Sequence, residues 1–286
     1  MTSTIELAST IDFLTSPTLK HLRARWWNDD FTEFLAETLR PRSGNRILDV
    51  GCGEGTAEVR IGRLHVSQVR LVGVDLLVDR VKLAKQQTAA HNQRVGFAAA
   101  DVCRLPFRDG VFDSTFCVAV LQHIGDVDSA VRECARVTTA GGRVLAVEPD
   151  TGARYSYAAT PAGVVAFRAA MEFFAAIAAA RGDVNDPALG SRLPALFARH
   201  GIEPLDVRLF PVSQVHLGMP PDAVWTRRKE AVARALALAP SDTVRSLGHA
   251  FQEALAAYEA EAREVGSSFV EIQNTMLFAT VGQKTE

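Results

Sequence analysis

The sequence contains few cysteines, and none of them belongs to a paired motif. Its four cysteines, Cys52, Cys103, Cys117 and Cys134, lie far apart and form no Cys-x-x-Cys pair. This spacing argues against a zinc knuckle and against a disulfide framework, so we expect reduced and mostly buried thiols. The sequence also has no His/Asp/Glu cluster with ligand spacing, so we expect no bound metal.

A surplus of positive charge is also missing. Lysine and arginine together number 31 against 33 aspartates and glutamates, and no run of like charge stands out. A surface that follows a phosphate backbone needs clustered positive charge, so we expect no nucleic-acid partner. The start of the chain lacks the basic stretch and uninterrupted apolar core of a signal peptide, and we therefore expect a cytoplasmic protein.

No stretch of the sequence is expected to span a membrane. The most apolar helical stretch, residues 164–180, is interrupted by Arg168 and Glu172 and is short for a bilayer core of about 30 Å. We interpret it as an amphipathic helix and expect no membrane partner. Apolar residues make up 48% of the chain, which is enough to bury the core of a globular domain.

Strands and helices alternate from residue 46 onward. Short apolar runs predict strands over residues 46–50, 69–74, 95–100, 112–118 and 143–148, and helical patterns lie between them over 77–92 and 129–137. Gly141 and Gly142 are expected to end the second helix ahead of the fifth strand. Alternation of this kind predicts an α/β fold with a parallel sheet wound on both faces.

The two ends of the chain follow a different pattern. One or two helices are predicted within residues 11–39, and later helices within 161–180, 189–200 and 221–265. Short strand-like pieces at 204–210 and 213–217 precede a last strand at 270–281, and this terminal pair is expected to run antiparallel to the rest. We therefore predict an N-terminal helical cap at 1–44, a core at 45–150, and a remainder at 151–286 with helical inserts near 155–185 and 220–266.

The strongest motif is the glycine-rich turn after the first strand, where residues 48–55 read LDVGCGEG. Glycines allow a sharp turn and let a ligand lie against the backbone. Dinucleotide sites carry a third glycine three positions after the second, but here that position is Thr56. The spacing Gly51, Gly53, Gly55 therefore favours a nucleotide-like ligand that lacks a pyrophosphate.

Two aspartates follow the next two strands. Asp75 comes 24 residues after Gly51, where a carboxylate can accept both hydrogen bonds from a ribose diol. Asp101 can accept a hydrogen bond from an adenine amino group, while Val102 supplies a backbone donor and an apolar face. The alternative roles are an aspartate that caps the following helix and a solvated turn aspartate. Ligands bind at the carboxyl ends of such strands.

The ordered set of these segments, together with residues 112–124 and 141–148, resembles the class I S-adenosylmethionine-dependent methyltransferases. It is most similar to the branch that includes ubiquinone and menaquinone C-methyltransferases and many natural-product methyltransferases. The resemblance covers about residues 45–150. It implies a seven-stranded, Rossmann-like, doubly wound sheet that is mostly parallel with a C-terminal antiparallel strand. It also implies S-adenosyl-L-methionine as cofactor and S-adenosyl-L-homocysteine as product.

The resemblance also implies a role for individual residues. Asp49 would orient the glycine turn or contact the cofactor's amino group. Gly51 and Gly53 would approach the methionine part, Asp75 would hold the ribose, and Leu76 would cover the adenine. The other expected cofactor contacts are Asp101 and Val102 at the adenine edge, the backbone of Val118 at the ammonium group, and Arg23 or Arg25 at the carboxylate. Gln122 departs from the family pattern, in which a glutamate or histidine is more usual.

Methyl transfer mainly requires alignment of the acceptor with the methyl group, and a general base helps if the acceptor must lose a proton. The candidate bases are His123, Glu148, Asp150 and His216, each of which also fits a structural role. The expected acceptor is a small secondary metabolite, with an aromatic or indole-like ring as one choice and a quinone precursor as the main alternative. Its pocket is expected to be lined by Trp27, Tyr155, Tyr157, Phe173, His216 and Trp225.

Two readings from other classes remain open. An NAD-dependent oxidoreductase would share a glycine turn and a ribose-binding acid, although Thr56 and the Asp101 segment disfavour it. A short-chain dehydrogenase would also carry a Tyr-x-x-x-Lys pair, and neither Tyr155 nor Tyr157 has a lysine four residues later. A binding module without activity is the third reading, because a fold does not establish catalysis. The chain is expected to be a monomer or a homodimer.

Overall fold

Seven strands form one sheet in this computed structural model, which describes residues 25–62, 69–91, 94–181 and 189–286. In chain order the strands are β1 (Arg46–Val50), β2 (Arg70–Asp75), β3 (Val95–Ala99), β4 (Phe112–Val118), β5 (Thr138–Ala158), β6 (Ile202–Leu217) and β7 (Val270–Lys284). Their order across the sheet is β3-β2-β1-β4-β5-β7-β6. Six strands run in one direction and β7 runs antiparallel to them. The predicted α/β fold with an antiparallel C-terminal strand is therefore confirmed.

Eight α-helices accompany these strands within the described residues. They are α1 (Asp29–Leu39), α2 (Thr56–Gly62), α3 (Val78–Ala90), α4 (Val127–Val137), α5 (Pro161–Arg181), α6 (Leu189–Arg199), α7 (Asp222–Ala237) and α8 (Asp242–Val265). Asn28 and Asp126 cap α1 and α4 by accepting backbone N–H groups with their side chains, as such residues do at helix starts. The predicted contribution of Arg23 and of most of the N-terminal preface lies outside the described residues.

The prediction of two short strand pieces before residue 218 is wrong, because residues 202–217 form the single strand β6. Pro204 begins the first predicted piece and Pro211 lies between the two, and proline lacks the N–H that a ladder needs. β6 lies at the edge of the sheet and pairs only with β7, so each proline can sit where no second neighbour requires its nitrogen. The expected direction is also wrong for β6, which runs parallel to the first five strands.

The fifth strand is much longer than predicted. β5 begins at Thr138, so Gly141 and Gly142 lie inside an irregular first part of the strand and do not precede it. A second irregularity between Asp150 and Tyr155 separates two regularly paired parts. Beyond it, residues 155–158 of β5, 211–217 of β6 and 270–276 of β7 continue past the other strands, and we call this three-stranded extension the ribbon.

Both faces of the sheet are covered, as a doubly wound fold requires. One face packs against α4 and α6, and its core includes Leu48, Val131 and Leu193. The other face packs against α1 and α2, and its core includes Phe31 and Phe116. The ends of the parallel strands therefore stay open at the edge where the glycine-rich turn follows β1.

A third core lies outside the sheet, among α5, α7 and α8. Phe173, Trp225 and Tyr258 are almost fully buried there, and Trp225 meets Tyr258 edge to face at 5.3 Å between ring centroids. α7 and α8 are inserted between β6 and β7, so the insert and the ribbon form one continuous segment of chain.

The apolar helix α5 lies where the sequence predicts a helix, with one further residue at its C-terminal end. Residues 161–180 have a mean hydropathy of 1.6 over the most apolar window, and by length and composition alone this helix is sufficient to cross a membrane. The expectation that the segment is too short and too polar is therefore wrong. Ala166, Phe173 and Ile177 are buried in the third core, whereas Met171 and Phe174 on the same helix are exposed.

A buried carboxylate ties the insert to the ribbon. Glu271 on β7 is fully buried and receives two hydrogen bonds from the Arg228 guanidinium, one of them 2.9 Å long. The Tyr258 hydroxyl donates to the same carboxylate at 2.7 Å, and the Gln273 amide donates at 3.1 Å. Removal of one partner from a buried ion pair leaves the other charge without compensation.

We therefore expect Glu271→Ala to lower the free energy of unfolding by about 3 kcal/mol, since it leaves the Arg228 guanidinium without its partner. The matched control is Glu230→Ala, which removes an exposed carboxylate 3.7 Å from Arg234 and should cost less than about 1 kcal/mol. Urea denaturation followed by circular dichroism measures both changes. Equal effects of the two substitutions would contradict the role given to Glu271.

Candidate functional site

The glycine-rich turn is attached to the end of β2 by backbone hydrogen bonds. The N–H groups of Gly51 and Cys52 both donate to the carbonyl oxygen of Val74, at 2.7 and 2.9 Å. Gly51 and Gly53 have φ angles of 78° and 56°, in the left-handed region that favours glycine. The turn therefore leaves β1 sharply and enters α2 at Thr56.

The two glycines are required for different reasons. A Cβ atom at Gly51 would collide with the side chain of Val120, so Gly51 permits a close approach within the protein. A Cβ atom at Gly53 would meet only the Arg80 guanidinium, at 4.0 Å. The space beside Gly53 is thus open, and a ligand can lie against the backbone there.

Asp75 lies at the end of β2 and holds two segments together. Its Oδ2 accepts the N–H of Gly53 at 3.0 Å, and its Oδ1 accepts the N–H of Leu77 at 2.9 Å. The carboxylate therefore anchors both the glycine turn and the start of α3. The alternative prediction, that Asp75 caps the following helix, thus describes one of its contacts. Each carboxylate oxygen can accept a second hydrogen bond, which leaves capacity for two hydroxyl groups. Leu76 beside it is 56% exposed.

Asp101 follows the neighbouring strand and lies close to Asp75 in the sheet. The N–H of Ala100 donates to the Asp75 carbonyl oxygen at 3.0 Å, which joins the two strand ends. Asp101 Oδ1 accepts the N–H of Cys103 at 2.9 Å, the geometry of a turn aspartate, and its side chain is exposed. Val102 is buried in the first core, so its side chain supports the turn from below.

The backbone after β4 has an unusual conformation. Ala119 has a φ of 56°, which a residue with a Cβ rarely adopts, and its N–H donates to the carbonyl oxygen of Val147 at 2.7 Å. The short 3-10 turn Leu121–His123 follows, and it brings half-buried His123 to the same edge of the sheet. Strained backbone of this kind is concentrated at functional sites.

Glu148 has a structural task at this turn. It is fully buried, and its carboxylate accepts the N–H groups of Val120, Leu121 and Gln122 at 2.9, 2.7 and 3.3 Å. A carboxylate committed to three backbone donors is poorly suited to accept a proton from an acceptor. Its position therefore speaks against the predicted role as general base and favours a positioning role for the turn.

Asp150 is occupied in a similar way. Its Oδ1 accepts the N–H of Gly152 at 2.8 Å, and its Oδ2 accepts the N–H of Ser191 in the first turn of α6 at 3.3 Å. The side chain is buried, at 3% exposure. Asp150 therefore holds the irregular part of β5 against α6.

His216 lies on the ribbon in a relay that starts at the N-terminal cap. Arg25 Nη1 donates to Gln214 Oε1 at 2.9 Å, so the Gln214 amide nitrogen must be the group that faces His216 Nε2, at 2.8 Å. His216 Nε2 is then the acceptor and the ring proton lies on Nδ1. Burial lowers the pKa of His216, which keeps the ring neutral. Arg25 thus contacts β6.

The predicted acceptor-binding residues separate into two groups. Tyr155 and Tyr157 are about half exposed on one face of the ribbon, in the last part of β5. Trp27 is half-buried and meets Phe31 edge to face at 5.3 Å, while Trp26 is buried, as expected for an adjacent pair. Phe173 and Trp225 lie in the third core, so their side chains are buried among helices and do not line an open pocket.

The sequence reading missed one buried acid, Glu58 in the first turn of α2. It is 1% exposed, and neither of its carboxylate oxygens has a hydrogen-bond partner among the described residues. It lies against Gly73 of β2, where a Cβ atom would collide with Glu58 Oε1. Burial raises the pKa of Glu58 to about 7. A sequence signal existed, since Glu58 interrupts the apolar positions Ala57 and Ile61 that face the sheet.

Asp49 completes this group of acids. It is buried on β1 beside Gly73 of β2, and its pKa is raised by burial and further by the negative charges of Glu58 and Asp75. Cys52 is also buried, and the same causes raise the pKa of its thiol. The four cysteines are free, and all but half-buried Cys103 are buried, as expected.

Comparison with known proteins agrees with this geometry. Residues 48–146 match the family model described as a methyltransferase domain. An O-methyltransferase of Aspergillus nomiae is 34% identical over 115 residues, which are 40% of this chain and 50% of that protein. The 27-O-demethylrifamycin SV methyltransferase of Amycolatopsis mediterranei is 31% identical over 137 residues, 44% of this chain and 50% of its own length. The chain thus spans about half the length of these relatives.

Solved structures share the fold along nearly the whole chain. A phosphoethanolamine N-methyltransferase of Haemonchus contortus, solved with S-adenosyl-L-methionine, has a TM-score of 0.54 and 18% identity and covers 96% of this chain and 60% of its own. A [4+2]-cyclase has a TM-score of 0.55 and 20% identity over 98% of this chain and 96% of its own. The predicted resemblance to class I methyltransferases is confirmed for residues 48–146.

The raised pKa of Glu58 makes stability depend on pH. In the unfolded chain the carboxyl ionises near pH 4.5, whereas in the folded chain it stays protonated up to about pH 7. Stability is therefore lost as pH rises between these values. We expect Glu58→Gln to stabilise the protein at pH 8 by on the order of 3 kcal/mol and to have little effect at pH 5.

Chemical denaturation at the two pH values measures this difference. Glu33→Gln, which changes an exposed glutamate on the neighbouring helix α1, is the control and should change stability equally little at both pH values. If Glu58→Gln destabilises the protein at pH 8, the ionised Glu58 carboxylate does not lower the stability of the folded protein as expected.

Proposed function

We propose that this chain, in which residues 48–146 form a methyltransferase domain, transfers a methyl group from S-adenosyl-L-methionine to a small-molecule acceptor. The observation that carries the proposal is the arrangement of Asp75, whose carboxylate is fixed beside the open backbone of Gly53. This arrangement lies inside the matched segment. It supports a ribose held at the end of β2 with the rest of the cofactor along the glycine turn.

The residues at the strand ends fit such a cofactor. Asp75 would accept the ribose hydroxyls, exposed Leu76 would cover the adenine, and Asp101 with Val102 would meet its edge. Gly51 and Gly53, above Asp49, would run along the methionine part, and the backbone at Val118 would receive its ammonium group. When bound, the cofactor supplies an electrophilic methyl group on a positively charged sulfur. The contact between Arg25 and Gln214 points to a role for Arg25 in positioning the cap, in place of the predicted contact with the carboxylate.

Among the candidate bases, His123 fits the proposed reaction best. It follows the strained turn after β4, at the edge where the methionine part would end. His216 is less suited, because its Nε2 already accepts a hydrogen bond from Gln214 and its remaining ring nitrogen carries the proton. We propose that His216 binds the acceptor through Nδ1–H and that His123 accepts a proton where the acceptor has one to lose.

The acceptor we propose is a small and fairly apolar secondary metabolite with an aromatic or indole-like ring. Tyr155 and Tyr157 support this choice, because they expose aromatic surface next to the strand ends. A quinone precursor is the alternative, since a ubiquinone biosynthesis O-methyltransferase of Bordetella bronchiseptica is 31% identical over 138 residues. The division into a cap at 1–44, a cofactor-binding core at 45–150 and a remainder at 151–286, like a cytoplasmic location, remains part of the proposal.

One observation favours a second candidate. The [4+2]-cyclase matches the fold over nearly all of this chain, so this architecture is also found in a protein whose name describes a different reaction. As a second candidate function, the chain would bind the cofactor and convert a small molecule without using up the cofactor. Release of S-adenosyl-L-homocysteine during turnover separates the two functions.

We expect S-adenosyl-L-homocysteine to bind the purified protein with a micromolar Kd and NAD not to bind, as measured by titration calorimetry. Asp75→Asn should weaken binding at least tenfold, because it removes the charge that accepts the ribose hydroxyls. Gly53→Ala should also weaken binding at least tenfold, since its methyl group would occupy the open space, while costing only about 1–2 kcal/mol of stability. Asp79→Asn, at an exposed position on α3, is the control and should leave binding unchanged.

Two outcomes would contradict the proposal. Tight binding of NAD without binding of S-adenosyl-L-homocysteine would favour an oxidoreductase. Unchanged binding in both Asp75→Asn and Gly53→Ala would mean that the cofactor does not bind at the strand ends. A protein that binds S-adenosyl-L-methionine, converts a small molecule and never forms S-adenosyl-L-homocysteine would be a member of the second class.

A further inference from the structure

Three carboxyl groups lie beneath the glycine-rich turn, and only one of them has an evident structural task. Asp75 receives two backbone hydrogen bonds and holds the turn. Glu58 is just as deeply buried, but its two oxygens have no hydrogen-bond partner among the described residues. A buried carboxyl without partners is costly to the fold, which suggests that it is retained for another reason.

The position of Glu58 depends on Gly73. Asp49 of β1 and Gly73 of β2 are register partners in the parallel ladder. The absence of a side chain at Gly73 leaves a gap between strand and helix, and Glu58 fills it from α2. Glu58 and Asp49 therefore approach each other on the same face of the sheet. Asp49 lies two residues before Gly51 in the chain.

The groups that face this pair explain how it titrates. β1 contributes Asp49 itself, β2 contributes the Asp75 carboxylate, and the turn contributes the Cys52 thiol. Across the turn, α3 places the Arg80 guanidinium beside Gly53. Phe97 of β3 lies against Gly73 on this side, and Trp26, Phe31 and Leu35, from α1 and the residues before it, belong to the apolar core on the same face of the sheet.

Two carboxylates in such surroundings do not both ionise readily. Burial raises both pKa values, that of Glu58 to about 7, and the negative charge of Glu58 further raises that of Asp49. Glu58 therefore loses its proton near neutral pH, and because its charge acts on Asp49 the pair titrates as a unit. Any positive charge brought close to it favours loss of that proton.

We propose that Asp49 and Glu58 form a proton-sharing pair that serves as an adjustable counter-charge for the sulfonium of the cofactor. The inference rests on the proposed function and assigns a specific task to Glu58. Binding of the sulfonium releases a proton from the pair to solvent, and the pair takes up a proton again when the neutral thioether product replaces it. The pair thereby favours the cofactor over the product as pH rises, and it assists product release.

The test is titration calorimetry at pH 7 in two buffers with different enthalpies of ionisation, which gives the number of protons exchanged on binding. Wild-type protein should release about half a proton with S-adenosyl-L-methionine, because the Glu58 carboxyl is about half ionised at this pH. It should release clearly less with S-adenosyl-L-homocysteine. The ratio of the two affinities should change about three- to tenfold in favour of S-adenosyl-L-methionine between pH 6 and pH 8.

Glu58→Gln is the decisive variant, because it keeps the size of the side chain and removes its proton equilibrium. It should bind both ligands, exchange clearly fewer protons with S-adenosyl-L-methionine than the wild type and show an affinity ratio that changes less with pH, because only Asp49 of the pair can still titrate. The matched control Glu33→Gln should behave as the wild type does.

The outcomes distinguish this inference from the proposed function. If neither ligand binds wild-type protein, the proposed function fails. If both bind but release equal numbers of protons, or if Glu58→Gln releases as many protons as the wild type, the pair is not the counter-charge and only this inference is overturned. The comparison of the two ligands on wild-type protein needs no variant, so it remains decisive even if Glu58→Gln does not fold.

Discussion

The site depends on one short-range electrostatic contact, the pair of hydrogen bonds that the Asp75 carboxylate accepts from Gly53 and Leu77. Hydrogen bonds to a charged acceptor are roughly twice as strong as neutral ones, so a single side chain can fix a turn and a helix start together. The position of the glycine-rich turn determines the open space beside Gly53 and covers Asp49. Without Asp75, the glycines would leave the backbone of this turn free to adopt many conformations.

A second buried carboxylate fixes a backbone turn in the same way. Glu148 accepts three backbone N–H groups of the turn after β4, as Asp75 accepts two after β2. Asp75 ends β2, Glu148 comes directly after the part of β5 that pairs with β4, and both are buried. Acids near the site therefore fall into two kinds, those that hold backbone and those, like Glu58, that have no such partner. Proximity to the site alone does not identify a base.

The sequence predicted the core of the fold well, for local reasons. β1 and β4 have the predicted bounds, because each is an apolar run that ends at glycine or at a turn. The sequence also located the glycine turn and Asp75 at adjoining strand ends, where the proposed cofactor site lies, since spacing along the chain determines where strand ends meet. Thr56 in the third-glycine position also correctly set this turn apart from dinucleotide sites, as the methyltransferase match within residues 48–146 indicates.

The features that were missed depend on contacts distant in sequence. The continuity of β6 through Pro204 and Pro211 follows from its edge position, which no local pattern reveals. Glu58 is conspicuous only once Gly73 is placed opposite it, and Trp225 appears as a core residue only after α7 and α8 fold onto α5. The ribbon likewise arises from pairing between residues 53 to 119 positions apart in the sequence.

The most direct test of this account is a crystal structure of the protein with S-adenosyl-L-homocysteine. The account predicts the ribose hydroxyls on the Asp75 carboxylate, the adenine between Leu76 and Asp101, and the homocysteine part along Gly51 and Gly53 toward Val118. A ligand bound elsewhere, or a ribose that does not contact Asp75, would contradict the account.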